Sequence, residues 1–187
     1  MNFIGTEVVD FGVKAYQQGE LKDVTKADIL GKWSIFFFYP ADFSFVCPTE
    51  LEELQDFYEE FKKEGAEIYS VSEDTEFVHK AWAEASEQIG KIQYKMLADP
   101  AGKLARAFGV LDEEAGQALR GTFIVDPDGI IQSYTVNNMG IGRNAQEVLR
   151  TLQAANFVRE HGDQVCPANW QPGEDTIAPS LDLVGKL

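Results

Sequence analysis

The sequence predicts an α/β fold in which a mixed central sheet is flanked by helices on both faces. Three observations indicate this class: an almost wholly apolar run at 33–39, alternating strand and helix patterns as far as residue 108, and a strand–turn–strand pattern at 121–136. Strands separated by helices pair in parallel through crossover connections, whereas strands joined by a tight turn pair antiparallel. Helices then cover both faces of a sheet that contains both kinds of pair.

Length and composition exclude several classes of protein. The chain has 187 residues, 44% of them hydrophobic, which is enough to bury the core of one domain. A net charge of -15 argues against binding to nucleic acid or to anionic membrane surfaces. No apolar run has the length of a membrane span, and residues 1–7 lack the features of a secretory signal. We therefore expect a cytoplasmic location.

The N-terminal segment predicts a small hairpin followed by a capped turn. Strand-like residues at 11–16 and 21–24 flank the turn sequence Gln17-Gln18-Gly19-Glu20. Thr25 and Asp28 then have the spacing of a short capped turn. We expect the following glycine, at position 31, to end it.

The apolar run at 33–39 is rich in aromatic residues and predicts a strand that is buried on both faces of the sheet. Pro40 ends this strand because proline has no N–H to donate to a ladder. A helical pattern follows, with apolar residues at spacings of three and four, and it ends at Gly65. Pro48 suits the first helical position, which places Cys47 at the cap.

Residues 66–72 and 95–98 predict two further strands. Between them, Asp74 or Thr75 can cap a helix that extends to about Gln88. The apolar face predicted for this helix consists of Phe77, Val78, Ala81, Trp82 and Ala85.

The next part of the chain predicts a short helix, a loop and a hairpin. A turn at 99–102 precedes the helix at 103–108, and residues 111–117 form an acidic, weakly patterned loop. Strand-like runs at 121–126 and 130–136 surround Pro127-Asp128-Gly129, which is a strong hairpin signal.

A last helix and a tail complete the chain. Asn144 caps the helix, with Glu147 as its capping-box partner, and Gly162 ends it. Its predicted apolar stripe is Val148, Leu149, Leu152, Ala155 and Val158. We expect residues 1–162 to form one domain and residues 163–187 to form a tail that packs on its own domain or on a partner subunit. Besides Cys166 and Trp170, the tail contains a final apolar group of Leu181, Leu183, Val184 and Leu187.

The two cysteines, Cys47 and Cys166, are too few for a disulfide scaffold, and in a reducing compartment such thiols are inert or redox-active. A helix start directs unpaired N–H groups and the positive end of the helix dipole at Cys47. Both favour the thiolate, which is the nucleophilic form. A reactive cysteine on the helix that follows the first core strand is the arrangement of the thioredoxin-like fold.

Other cysteine chemistries fit the sequence less well. Glu50 occupies the place of the second cysteine of a C-x-x-C dithiol, which excludes a local exchange site. A zinc site would have to combine both cysteines with both histidines, whose spacing matches no known ligand pattern. Acyl transfer needs a base, but His79 lies on the polar side of its predicted helix and His161 ends the last helix. We interpret both as surface residues.

A cysteine without a neighbouring partner is suited to attack on a peroxide O–O bond, which gives a sulfenic acid that a second thiol condenses to a disulfide. This chemistry requires no metal and no organic cofactor. Ser44, three residues before Cys47, offers a hydroxyl group, and Pro40 shields the site from water. Arg120 is the best candidate for a cation that stabilises charge on the leaving oxygen. We interpret Arg143, the weaker candidate, as a loop or subunit contact.

These residues carry a resemblance to a known family. Residues 36–50, FFFYPADFSFVCPTE, resemble the active-site signature Pro-x-x-x-Thr/Ser-x-x-Cys of typical 2-Cys peroxiredoxins, and Val165-Cys166-Pro167 resembles their resolving-cysteine motif. The likeness extends over nearly the whole chain and is greatest to the bacterial alkyl hydroperoxide reductase branch. It implies that Cys47 reduces hydrogen peroxide and organic hydroperoxides and that Cys166 forms a disulfide with Cys47 of a partner subunit. The residues that it assigns to the pocket of Cys47 are Pro40, Ser44, Arg120 and Glu50, the last of which holds an arginine.

The resemblance also implies partners. Two chains form an antiparallel homodimer along the strand at 130–136, and five dimers assemble into a decameric ring through contacts near Phe43, Phe77 and Val78. An NADH-dependent flavoprotein disulfide reductase, or otherwise a thioredoxin-like protein, regenerates the thiols. Two alternatives stay open: a non-enzymatic assembly in which Cys47 only senses oxidant, and a generic disulfide exchanger.

Overall fold

The strands and helices described below are those of a computed structural model that describes residues 2–186, so that the predicted apolar residue Leu187 lies outside the described residues. In chain order the strands are β1 (Gly12–Gln17), β2 (Glu20–Thr25), β3 (Trp33–Phe38), β4 (Ala66–Ser72), β5 (Lys95–Ala98), β6 (Leu111–Asp112), β7 (Gln117–Ala118), β8 (Arg120–Val125) and β9 (Ile131–Asn137). The α-helices are α1 (Cys47–Asp56), α2 (Tyr58–Lys63), α3 (Glu76–Ala85), α4 (Glu87–Gly90), α5 (Lys103–Ala107) and α6 (Ala145–Glu160). Single 3-10 turns occupy Lys26–Asp28 and Leu181–Leu183.

Seven of the strands form one mixed sheet in the order β2-β1-β5-β4-β3-β8-β9. Strands β3, β4 and β5 pair in parallel, as crossover helices require, while the hairpin of β8 and β9 joins β3 antiparallel. The hairpin of β1 and β2 joins β5 on the other side. The predicted α/β class with a mixed central sheet is confirmed. None of the helices within residues 2–186 is both long and apolar enough to cross a bilayer.

Strand β3 is the centre of the core, and each of its residues is buried. Trp33, Ile35 and Phe37 belong to an apolar cluster with residues of α1, α2 and α6. Phe36 and Phe38 belong to a second cluster on the opposite face, with residues of α5. The prediction of a strand buried on both faces is therefore correct, and the end of this strand is a rigid base for the segment that follows.

Several elements differ from the sequence prediction. The single helix predicted to end at Gly65 is instead α1 and α2, separated by Phe57, whose φ of -95° and ψ of 4° are not helical. Helical hydrogen bonds continue on either side of Phe57. The apolar residues therefore keep their spacing of three and four across the break, and the sequence gives no sign of it. The expected loop at 111–117 contains β6 and the first residue of β7, and each of these two-residue strands is too short to show a period.

Of the five residues in the apolar face predicted for α3, only Trp82 is buried and Val78 is half-buried. Phe77 is 64% exposed, and Ala81 and Ala85 are exposed as well, whereas His79 and Trp82 are buried. The prediction failed because His79 was counted as polar, although both of its ring nitrogens have acceptors inside the protein. The helix also ends at Ala85. A separate turn, α4, follows it.

Helix α6 begins as predicted, because the side chain of Asn144 accepts the N–H of Glu147 at 2.9 Å. The carboxylate of Glu147 binds Arg150 rather than closing a capping box. The apolar stripe is buried at its first three positions, but Val158 near its end is 41% exposed. The tail packs against α6 through Trp170, which is 3% exposed and whose ring centroid lies 5.0 Å from that of Phe157.

The turn between β1 and β2 consists of two residues, both with positive φ: 47° at Gln18 and 88° at Gly19. Positive φ at both central positions is the geometry of a type I′ turn, which favours Asn-Gly. Glutamine is strained there because its Cβ crowds the following carbonyl group, whereas asparagine tolerates this region better.

We predict that Gln18→Asn raises the free energy of unfolding by about 0.5 kcal/mol, because it relieves this strain without removing a contact. Urea-induced unfolding followed by circular dichroism measures the change. Gln18→Ala, which keeps a Cβ but cannot bond its own backbone, is the control and should not stabilise the chain. An equal gain from both substitutions would contradict the explanation.

Candidate active site

Cys47 is the first residue of α1, one position further into the helix than predicted. The carbonyl oxygen of Val46 accepts the N–H groups of Thr49 at 3.1 Å and Glu50 at 3.3 Å, so Val46 is the cap. The Cys47 side chain is buried at the end of the segment that leaves β3. Its sulfur therefore lies in the first turn, at the positive end of the helix dipole, which favours a negative charge.

Arg120 lies next to this sulfur. Its Nη1 is 3.4 Å from the Sγ atom of Cys47 and 2.7 Å from Oε2 of Glu50, and its Nε donates to the carbonyl of Met139 at 2.6 Å. Arg120 is the first residue of β8, whose antiparallel pairing places its start beside the end of β3, from which the segment that carries Cys47 leaves. The guanidinium therefore places a positive charge directly beside the sulfur.

Glu50 binds two arginines. Besides the bond from Arg120, it accepts three N–H groups of Arg143. These are the side-chain Nε and Nη2, each at 2.9 Å, and the backbone N–H at 2.9 Å. Burial raises the pKa of Glu50, but the hydrogen bonds and charge of Arg143, with the charge of Arg120, outweigh burial and hold this pKa below its ordinary value. The carboxylate therefore stays ionised and keeps both guanidinium groups in place.

The interpretation of Arg143 as a loop or subunit contact is wrong. Its side chain is 4% exposed, and its guanidinium carbon lies 3.3 Å from the centroid of the Phe37 ring. Burial lowers the pKa of Arg143, although Glu50 opposes this shift. One signal in the sequence could have shown that Arg143 is part of the site. A buried carboxylate such as Glu50 needs cationic partners, and a single arginine leaves about half of its lone pairs without a donor.

Pro40 and Ser44 lie in the segment between β3 and α1. Pro40 is buried directly after the strand. The hydroxyl of Ser44 donates to the carbonyl of Ala41 at 2.7 Å, which leaves the serine oxygen free to accept. The structure therefore brings Arg120 and Glu50 to Cys47 by direct contact and places Pro40 and Ser44 in the segment that leads to it.

His79 is a buried residue that the sequence interpretation placed on the surface. Its Nδ1 lies 2.7 Å from Oδ2 of Asp42 and its Nε2 lies 3.1 Å from the carbonyl of Leu97, while the hydroxyl of Tyr39 donates to Oδ1 of Asp42 at 2.7 Å. Burial disfavours the charged imidazole, but the hydrogen bond and charge of Asp42 outweigh burial and raise the pKa of His79. The pair fixes the loop before Cys47 to α3. His161 is exposed, as expected, and stacks on Phe157.

Cys166 lies elsewhere, on the outer side of α6. Its sulfur is 3.9 Å from the carbonyl of Ala154, and it lines a cavity of about 600 Å³ together with Trp33 and Ser133. Burial raises the pKa of the Cys166 thiol, and the charge of Arg150 opposes this shift. Both cysteines are free thiols in this structure, Cys47 buried and Cys166 half-buried.

Comparison with known proteins gives consistent matches. Residues 4–134 match the AhpC/TSA family, and residues 154–187 match the C-terminal domain of 1-Cys peroxiredoxin. The chain is 56% identical to alkyl hydroperoxide reductase C of Bacillus subtilis and 52% identical to that of Escherichia coli, with all of both chains covered in each case.

Two solved structures extend this likeness to the fold. The Enterococcus faecalis AhpC structure is similar with a TM-score of 0.88 and 62% identity, covering 89% of this chain and 100% of that one. The reduced 2-Cys peroxiredoxin of Plasmodium vivax is similar with a TM-score of 0.92 and 32% identity, covering 97% of this chain and 96% of that one.

We predict that Glu50→Gln lowers the free energy of unfolding by about 3 kcal/mol at pH 7, because it leaves two buried guanidinium groups without their counter-charge. Unfolding in urea measures the loss. Asp56→Asn, an exposed position of the same helix, is the matched control and should change stability by less than about 0.5 kcal/mol.

We also predict that the stability of wild type and that of Glu50→Gln depend differently on pH. The pKa of Glu50 is lower in the folded state than the ordinary 4.5, so its stabilising contribution is present above pH 4.5 and is lost as the pH falls through the folded value. The stability difference between wild type and Glu50→Gln should therefore shrink in acid. A difference that is constant from pH 7 to pH 3 would contradict the assignment.

Proposed function

The chain belongs to the AhpC/TSA family of thiol-dependent peroxidases, and we propose that Cys47 is the thiol that attacks the hydroperoxide. As a member of this family, the chain acts on hydroperoxides with a reductase partner and oligomerises. The observation that carries the proposal is the 3.4 Å distance between the Cys47 sulfur and Nη1 of the buried Arg120.

In the proposed first step, the Cys47 thiolate attacks one oxygen of the hydroperoxide. An S–O bond forms while the O–O bond breaks, so that the sulfur is oxidised by two electrons to sulfenic acid. The departing oxygen takes a proton and leaves as an alcohol or as water. Arg120 and the positive end of the α1 dipole stabilise the charge that develops on that oxygen, and Glu50 holds the guanidinium in position.

In the proposed second step, Cys166 of a partner subunit condenses with the sulfenic acid. An S–S bond forms and water leaves. The position of Cys166 supports this role, because the cavity beside it is also lined by Gln132 and Ser133 of β9, an edge strand of the sheet. The buried Cys47 must become accessible to this thiol, which requires the first turn of α1 and the tail to unfold locally.

The assembly belongs to the proposal as well. Two chains pair along β9 as an antiparallel homodimer, since within residues 2–186 no strand of the sheet pairs with the outer edge of β9, which is bonded only at Ile131, to residues 5 and 6. Five dimers then form a decameric ring through Phe43 and Phe77, which are 57% and 64% exposed. Aromatic rings this exposed beside an active-site loop favour burial against another copy.

The cycle closes with reduction of the disulfide between Cys47 and Cys166. We propose an NADH-dependent flavoprotein disulfide reductase, or otherwise a thioredoxin-like protein, as the electron donor. A cytoplasmic location is part of this proposal because both cysteines must return to the thiol state in each turnover.

We predict that Cys47→Ser abolishes peroxide consumption, whereas Cys166→Ser still consumes one equivalent but forms no covalent dimer. Stopped-flow measurement of hydrogen peroxide loss, followed by non-reducing electrophoresis, distinguishes the two variants. Wild type should react with peroxide far faster than free cysteine does. A rate equal to that of free cysteine would favour the sensor alternative, and disulfide-coupled turnover by Cys166→Ser would exclude the resolving role of Cys166.

We predict that Phe77→Asp converts the ring to dimers, because it places a charge where two aromatic surfaces meet. Sedimentation velocity measures the change in mass. Glu87→Ala, which removes an exposed side chain from the neighbouring α4, is the control and should leave the ring intact. A decameric Phe77→Asp protein would place the ring contact elsewhere.

A further inference from the structure

The loop between β4 and α3 contains two consecutive acidic residues, Glu73 and Asp74. One binds the segment before Arg120, and the other binds the segment before Cys47. Oδ2 of Asp74 accepts the backbone N–H of Asp42 at 2.8 Å, in the segment that leads to Cys47. Oε2 of Glu73 accepts the backbone N–H of Ala118 at 2.7 Å, two residues before Arg120. The thiol segment and the arginine strand are therefore both tied to the end of β4.

The contact at Ala118 fixes the backbone that leads to Arg120. Ala118 is fully buried, and its strand β7 pairs with β6 over only two residues. The next residue, Leu119, donates its N–H to the carbonyl of Val110 at 2.8 Å and accepts the N–H of Gly121 at 2.8 Å. Arg120 thus leaves a short, tightly bonded segment whose side-chain anchor is the carboxyl group of Glu73.

Glu73 itself is poorly stabilised as an anion. Its Oε1 is buried and has no hydrogen-bond partner within residues 2–186. The charges that act on it, Asp99 after β5 and Asp74 beside it in the loop, are both negative. Burial, with these two charges, raises the pKa of Glu73 from the ordinary 4.5 to about 7, although the hydrogen bond from the Ala118 N–H opposes this shift.

We propose that Glu73 is a positioning residue for Arg120 and that the gain or loss of one proton at its carboxyl group strengthens or weakens this placement. The inference rests on the proposed role of Arg120 beside Cys47. With the proton bound, the carboxyl group keeps its contact to Ala118 without a charge. Without the proton, an anion with one unpaired oxygen is repelled by Asp99 and Asp74, so that water competes for it and the Ala118 N–H loses its acceptor more often.

The test compares Glu73→Ala and Glu73→Gln in the Cys166→Ser background, which isolates oxidation of Cys47. Hydrogen peroxide is the probe, and the rate constant of sulfenic acid formation is measured by rapid quenching and mass spectrometry. Glu73→Ala should slow oxidation roughly tenfold because Arg120 loses its anchor. Glu73→Gln should restore the rate because its amide oxygen accepts the same N–H. Glu114→Gln, exposed in the turn between β6 and β7, is the matched control.

The pH profile separates positioning from simple structural support. Glutamine cannot ionise, so the ratio of the Glu73→Gln rate to the rate with Glu73 intact should rise roughly threefold or more between pH 6 and pH 8. The Glu114→Gln ratio should stay flat. Thermal unfolding gives an independent reading: the unfolded chain loses this proton near pH 4.5 and the folded chain near pH 7, so intact Glu73 removes stability as the pH rises through that window. Glu73→Gln should lack this loss.

The outcomes are distinct. Unchanged oxidation in Glu73→Ala, or parallel pH profiles for Glu73→Gln and intact Glu73, would overturn the inference while leaving the peroxidase function intact. Failure of the Cys166→Ser background itself to form sulfenic acid at Cys47 would instead overturn the proposed function.

Discussion

The buried carboxylate of Glu50, held between two guanidinium groups beside a sulfur atom, is the interaction on which the site depends. Each of the two arginines is 4% exposed and could not stay buried without its counter-charge. The group of charges therefore forms as a unit, and it places a net positive charge against Cys47. The stability of the fold and the proposed reactivity of the Cys47 thiol therefore depend on the same hydrogen bonds.

The sheet supplies the precision that this unit needs. Cys47 follows β3, Arg120 begins the adjacent β8, and Glu73 follows β4 on the other side of β3. Groups far apart in the chain are therefore held at distances set by strand pairing. Because β3 is buried on both faces, its end cannot shift without disturbing two apolar clusters.

The sequence predicted the frame better than the electrostatic details. Features that depend on a few neighbouring residues were located correctly. They are the aromatic run of β3, the glycine turns and the Asn144 cap. Arg143 and His79 were missed because their burial depends on partners distant in the chain, Glu50 and Asp42, and no local period reports such pairs. The contact between Glu73 and Ala118 was equally invisible, since it joins a side chain to a backbone N–H that carries no sequence information.

The packing of Trp170 against Phe157 has a consequence for how the two cysteines meet. Trp170 attaches the tail to α6, and an antiparallel bridge joins Val165 to Ile177. Cys166 therefore lies in a short loop whose two ends are held together by this bridge. In the proposed dimer, its encounter with the oxidised sulfur is then governed by a local effective concentration rather than by diffusion. The rate of disulfide formation then depends on the length of the segment that carries Cys166. It does not change on dilution for as long as the two chains stay associated.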